Sequence, residues 1–127
     1  MVGIGREPPA GALRRGDVHI ADVPDVGGSV IRGPHPVVVV QSDRLRRSTT
    51  IVVVPMTSSA AAARFNPPFL VPVTARASGL QRDGWAKCDQ PMTLAAGHVG
   101  DRVGRLNPET MDDVDHALGF VLGIGRG

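Results

Sequence analysis

Two unbroken β-branched runs stand out in the hydrophobic pattern, VVVV at 37–40 and IVVV at 51–54. Short apolar runs flanked by turn or polar residues read as strands buried on both faces. They predict strands over 36–41 and 50–56, joined by the polar, arginine-rich segment DRLRRST at 43–49. Upstream, DVHIADV at 17–23 alternates in part, with Val18, Ile20 and Ala21 apolar, and predicts a first strand. The segment between, PDVGGSVIRGP at 24–34, is rich in glycine and proline and reads as a long surface loop. Further on, FLVPV at 69–73 predicts a shorter strand whose Pro72 favours a sheet edge or bulge, and WAKC at 85–88 is another strand candidate.

The pattern changes period at the end of the chain. Met111, Val114, Ala117, Leu118, Val121 and Leu122 recur at helical spacing and form one apolar stripe. Asn107 suits the N-cap and Pro108 the first helical position, while Glu109, Asp112 and Asp113 complement the positive helix start. Gly123 marks the end. Several short strands, long loops and a terminal helix predict a mainly β protein, a small and strongly bent antiparallel sheet or half-open barrel with a C-terminal α-helix.

Length narrows this to one domain, since 127 residues support a single core. Residues 1–13, MVGIGREPPAGAL, show no period and are expected to be a flexible leader before a domain over 14–127. They hold no apolar stretch of a secretory signal, and no run elsewhere is long enough to cross a bilayer, so a cytoplasmic protein without membrane contact is expected. The single cysteine, Cys88, has no partner for an internal disulfide and lacks the paired Cys/His spacing of a zinc site. Gly3 and Gly5 lack the preceding strand and third glycine of a dinucleotide loop. Neither a metal nor a cofactor is expected.

Charge adds a partner class. Lys87 is the only lysine among 14 basic residues, and the planar guanidinium fork of the other 13 suits phosphate. Residues 1–82 carry ten arginines against five acids, whereas 83–127 carry four bases against seven acids. A basic body with an acidic tail fits an anionic partner such as RNA, and a solvated surface of mixed charge fits the same pattern.

The order of segments is more specific than any one of them. RRGDVHIADV at 14–23, HPVVVVQSD at 35–43, VVVPMTS at 52–58, GWAKCDQPMT at 84–93 and RLNPETMDDV at 105–114 together resemble the PemK/MazF toxins over nearly all of 14–122. The resemblance is greatest to the PemK/Kid branch, with its VVPxTS strand end and R-C-D-Q-P-x-T block. It implies an SH3-like barrel of the PemK/MazF/CcdB type. It also implies a homodimeric toxin of a type II toxin–antitoxin system, silenced by a cognate antitoxin. The implied activity is metal-independent cleavage of single-stranded mRNA at short sequences, by attack of the ribose 2′-hydroxyl, leaving a 2′,3′-cyclic phosphate and a 5′-hydroxyl.

The resemblance carries roles over residue by residue. Asp89 takes the place of the aspartate used as general base, and Lys87 stands at the block's arginine, to donate a proton or stabilise phosphate charge. Thr57 matches the threonine set against the scissile phosphate, with Ser58 as a second contact. Gln90 matches a glutamine facing the RNA. Ser29 stands where the PemK/Kid branch has histidine and other members serine. His35 replaces the arginine that usually precedes the second-strand proline, and Arg32, three residues earlier, is a candidate to supply charge in its stead. The Glu-Gln that commonly follows in the preceding loop is Val30-Ile31 here. A second reading stays open on these departures: a catalytically degenerate relative that binds RNA, an antitoxin or gyrase.

Plainer readings stand beside these. Lys87 and Asp89 two apart on a strand also suit an exposed salt bridge. Arg44, Arg46 and Arg47 suit a solvated loop face as well as one flank of an RNA groove. Trp85 shares a strand face with Lys87, open to base stacking or to burial. His19 reads as a packing residue, His98 has no motif around it, His116 pairs on the surface with Asp112, and Cys88 points into the core.

Overall fold

The computed structural model describes residues 13–28 and 30–125. The expectations for a leader over 1–12 and for Ser29 fall outside the described residues. Among the described residues, seven strands and two α-helices follow in the order β1 (Asp17–Val23), β2 (Gly33–Val39), β3 (Thr50–Thr57), β4 (Leu70–Val73), α1 (Ala75–Ser78), β5 (Gly84–Lys87), β6 (Met92–Ala95), β7 (Val99–Arg105) and α2 (Pro108–Leu122). All pairings are antiparallel, in the order β4-β5-β3-β2-β1-β7, and β6 joins the other half of β3. The two runs first seen in the sequence are the centre of this sheet. Pro72 lies on β4 at its edge, where a missing N–H breaks no ladder.

Because side chains alternate along each strand, β2 and β3 feed two cores. On one face Val18, Val38, Val54, Met56 and Ala86 meet Met111, Val114 and Ala117 of α2. On the other, Ala21, Val37, Val39, Ile51, Val53, Leu94 and Val99 fill the inside of the curl. Leu13, assigned to the leader by sequence, packs in this second core. Burying each such valine contributes about 1.5–3 kcal/mol, which explains why β-branched residues hold these rows.

The terminal helix forms as its sequence dictates. The Asn107 side chain accepts the Thr110 N–H at 2.9 Å, Pro108 opens the helix, and Gly123 closes it at a φ of 67°. Its stripe is narrower than the spacing suggests: Met111, Val114 and Ala117 are buried and Val121 half-buried, but Leu122 is 56% exposed. Arg15 ties the entry of β1 to this helix, donating from Nε to the Val40 carbonyl at 3.1 Å and pairing with Asp115. Below it the carboxylate of Asp17, almost fully buried, accepts from Arg105 at 2.6 Å and pairs with Arg102 at 3.3 Å.

Two strands escaped the pattern. β7, VGDRVGR, buries only its first two residues, and Gly104 is needed there because a Cβ would stand 2.6 Å from the Ser78 carbonyl oxygen. β6, MTLA, pairs only with β3 and buries one side chain, Leu94. Cys88, placed in a strand by sequence, instead lies in the turn after β5.

Candidate functional site

The last rows of the ladder position the site. β2 and β3 pair Val39 with Val53 and Val37 with Pro55, and their pairing stops there, two residues short of His35 and Thr57. Thr57 faces Trp85 on β5, and Ala21 of β1 faces His35. His35, Thr57 and Trp85 thus form one row of strand ends. It lies just past the buried rows of the inner core, at the mouth of the curl, where all three are half-buried. Lys87, two residues beyond Trp85, shares its face, and Asp89 follows in the exposed turn.

Thr57, Gln90 and Arg32 have defined partners. The Thr57 Oγ1 accepts the Ser59 N–H at 3.1 Å as the strand ends, which leaves its O–H free to donate to a ligand oxygen. Gly84 opposite allows this end of β3 and the start of β5 to close together: a Cβ there would lie 2.7 Å from the Thr57 carbonyl oxygen. Gln90 holds the long loop before β2, its Oε1 accepting the Ile31 N–H at 2.9 Å across 59 residues of sequence. This glutamine is thus a structural tie as well as a candidate base reader. Arg32 reaches Asp25 across the same loop at 3.8 Å, a long pair between exposed side chains.

Several plain readings are resolved. Among the described residues no ion pair joins Lys87 to Asp89, so the salt bridge that their spacing suits does not form. Cys88 turns inward between them, fully buried, and its thiol is pushed up from 9.0 to about 12 by burial first and then by the carboxylates of Asp89 and Asp115. His19 is 3% exposed, with Nδ1 on the Gly100 carbonyl at 2.8 Å and Nε2 buried without a partner. His116 lies on the surface against the backbone carbonyl of Asp112, not its carboxylate. Arg44, Arg46 and Arg47 sit at the opposite end of the β2–β3 hairpin from His35 and Thr57, a placement that favours the solvated loop face of the two readings. Among the described residues no group of His, Cys, Asp or Glu is arranged to hold a metal ion, and no helix is long and apolar enough to cross a membrane.

A cavity of about 660 Å³ opens beside the row, lined by His35, Thr57 and Ser58 together with the apolar Ile20, Met56 and Leu80. Lys87, Asp89 and Gln90 do not line it. The sequence-predicted residues thus divide around the strand ends, with Thr57 and His35 common to both sides. The far wall of the cavity, residues 79–84, was missed. The available signal was a pair of glycines bracketing Gln81, Arg82 and Asp83 just ahead of a strand.

A curled antiparallel barrel closed by a C-terminal helix, with its polar groups gathered at one end of the central strands, is the architecture of the small barrel toxins. Residues 14–122 match the family described as PemK-like, MazF-like toxin of type II toxin–antitoxin system. Endoribonuclease EndoA of Bacillus subtilis (strain 168) is 34% identical over 113 residues, covering 88% of this chain and 96% of that one. Among solved structures, an endoribonuclease in complex with its cognate antitoxin, from a mycobacterial species, superposes with a TM-score of 0.72 at 26% identity, over 91% of this chain and all (100%) of that one. MazF from Deinococcus radiodurans shares the fold, with a TM-score of 0.72 at 19% identity over 87% and 96% of the two chains. The chain belongs to the PemK-like, MazF-like toxins.

Proposed function

We propose that this toxin is a metal-independent, sequence-selective endoribonuclease that cuts single-stranded mRNA in the cytoplasm, acts as a homodimer and is held off by a cognate antitoxin. The observation that carries the reading is the gathering of His35, Thr57 and Trp85 at one strand end, with Lys87 on the same face as Trp85 and Asp89 in the adjoining turn. A 34% identical relative named an endoribonuclease and a structural neighbour solved with its antitoxin support it.

The chemistry follows from what transphosphorylation requires. Asp89 takes the proton of the ribose 2′-hydroxyl, the 2′-oxygen bonds to phosphorus, and the bond to the 5′-oxygen breaks. Lys87 or His35 returns a proton to that 5′-oxygen. The Thr57 hydroxyl, its acceptor side occupied by the Ser59 amide, donates to a non-bridging oxygen where charge accumulates. Ser58 and Arg32 contact the strand on either side, Gln90 lines its path over the loop, and the family resemblance assigns Ser29 to RNA binding. Trp85 offers a ring on which an unstacked base can lie.

The test is direct. Purified protein incubated with a long phage RNA in EDTA gives discrete cuts whose new 5′ ends carry hydroxyls, and Asp89→Ala slows them by orders of magnitude while His35→Ala weakens them less. Intact RNA at high protein concentration sinks the enzyme and leaves a binding module.

A further inference from the structure

Resting on that nuclease reading, we infer that the cavity beside Thr57 holds a nucleotide flanking the cut, and that Arg82 clamps its phosphate. Residues 79–84 run from the end of α1 to the start of β5 and are anchored at three points. The Leu80 N–H donates to the Ser78 hydroxyl at 3.2 Å, and Gly79 takes a φ of 75° to turn the chain out of the helix. The Asp83 carboxylate accepts the Ala75 N–H at 2.7 Å. Gly84 then closes on the backbone of Thr57. A guanidinium on so tethered a segment keeps its place relative to Thr57, and preorganisation of this kind reduces the ordering cost of binding.

Its charge is available. The acid next to it is engaged by a backbone amide, and among the described residues no ion pair holds Arg82, whereas Arg15, Arg32, Arg102 and Arg105 each have a carboxylate. The cavity itself suits a nucleotide more than an acidic peptide. Ile20, Pro36, Leu80 and Val103 supply flat apolar contact for a base, and Ser58, Ser59 and Gln81 supply hydroxyl and amide groups for its edges. An acidic peptide would need several cations, and Arg82 is the only lysine or arginine lining the cavity among the described residues. Because the cavity lies past Thr57 from Lys87 and Asp89, Arg82 serves binding of the neighbouring nucleotide and leaves the chemical step to the row.

The experiment uses the full chain, with Arg82→Gln and Arg82→Lys. Affinity for a 2′-deoxy oligonucleotide spanning the mapped cut site, or a generic single-stranded RNA if none is found, is measured by fluorescence anisotropy over a salt series. Losing one phosphate contact on a single strand makes the slope of log affinity against log salt shallower by about 0.7. That change is expected in Arg82→Gln and its reversal in Arg82→Lys, with unchanged melting temperatures. In cleavage of oligoribonucleotides shortened one nucleotide at a time, wild type is expected to lose kcat/KM when one flanking nucleotide is removed. Arg82→Gln is expected to be indifferent to that same removal, with kcat at saturation retained. Cutting by wild type with an unaltered slope and an unaltered length profile in Arg82→Gln overturns the cavity assignment and keeps the nuclease. Uncut RNA bound with an Arg82-dependent slope overturns the nuclease and keeps the cavity. An Arg82 effect seen only with polyglutamate overturns the assignment in favour of an acidic peptide.

Discussion

The two ends of the β2–β3 hairpin are built from the same kind of sequence and treated oppositely. At the far end, past Val39, the amide of Gln41 closes the strands: its Nε2 donates to the Leu45 carbonyl at 3.1 Å and its Oε1 accepts the Val52 N–H at 3.1 Å. Gln41 is buried, and its polar atoms find their partners inside the protein. At the near end, His35 and Thr57 terminate the same strands half-buried, Thr57 with one hydrogen-bonding direction in use and one spare. A buried polar group left unpaired costs about 1–3 kcal/mol, so a fold seals what it buries. What it leaves unsealed at a concave strand end is available to a ligand.

Substitutions at the two ends should therefore separate activity from stability. The largest effect is expected at the open end, where Asp89→Ala lowers RNA cleavage roughly 10²–10⁴-fold with an unchanged melting temperature, because the side chain is exposed and no ion pair is lost. Equal losses of activity and of stability would erase the distinction. Next comes the sealed end: Gln41→Ala leaves the Val52 N–H and the Leu45 carbonyl without their partner and should cost about 1–3 kcal/mol in urea unfolding, while the folded fraction cleaves at the wild-type rate.

The thiol behind the Asp89 turn gives a smaller, pH-dependent signal. Native Cys88 keeps its proton up to about 12, whereas the unfolded thiol loses it near 9.0. Below pH 9 the group is protonated in both states and contributes nothing. As pH rises through that window the unfolded state is favoured, so the native state loses roughly 1–2 kcal/mol by pH 10 through this group. The drop in urea midpoint between pH 8 and pH 10 should be correspondingly smaller in Cys88→Ala. The smallest effect belongs to the arginines of the far loop. Arg44→Ala and Arg47→Ala should change stability by less than about 0.5 kcal/mol and leave the salt dependence of RNA binding alone, whereas a shallower slope would bring that end of the hairpin into the groove.

The parts of the fold legible in the sequence are those whose physics is local. Four-residue β-branched runs gave β2 and β3, and Asn107, Pro108 and Gly123 bounded α2 because capping is decided within one turn. β7 was illegible because its strand is held by pairing with β1 and by close backbone approach at Gly104, with most of its side chains in solvent. For the site, the family resemblance supplied candidates, yet their arrangement depends on register between strands far apart in sequence. No local pattern announces that Thr57 faces Trp85, or that Gln90 reaches the Ile31 amide. Arg82 was missed for a related reason: its place beside Thr57 is created by the closure of Gly84 on β3.

The Gln90–Ile31 hydrogen bond makes the segment between Val23 and Gly33 a replaceable part. Its outer end is fastened through a main-chain N–H, which every residue except proline supplies, so its side chains are at liberty to vary. Loop replacements that retain a non-proline residue at 31 should keep the barrel intact while being free to change which message is cut.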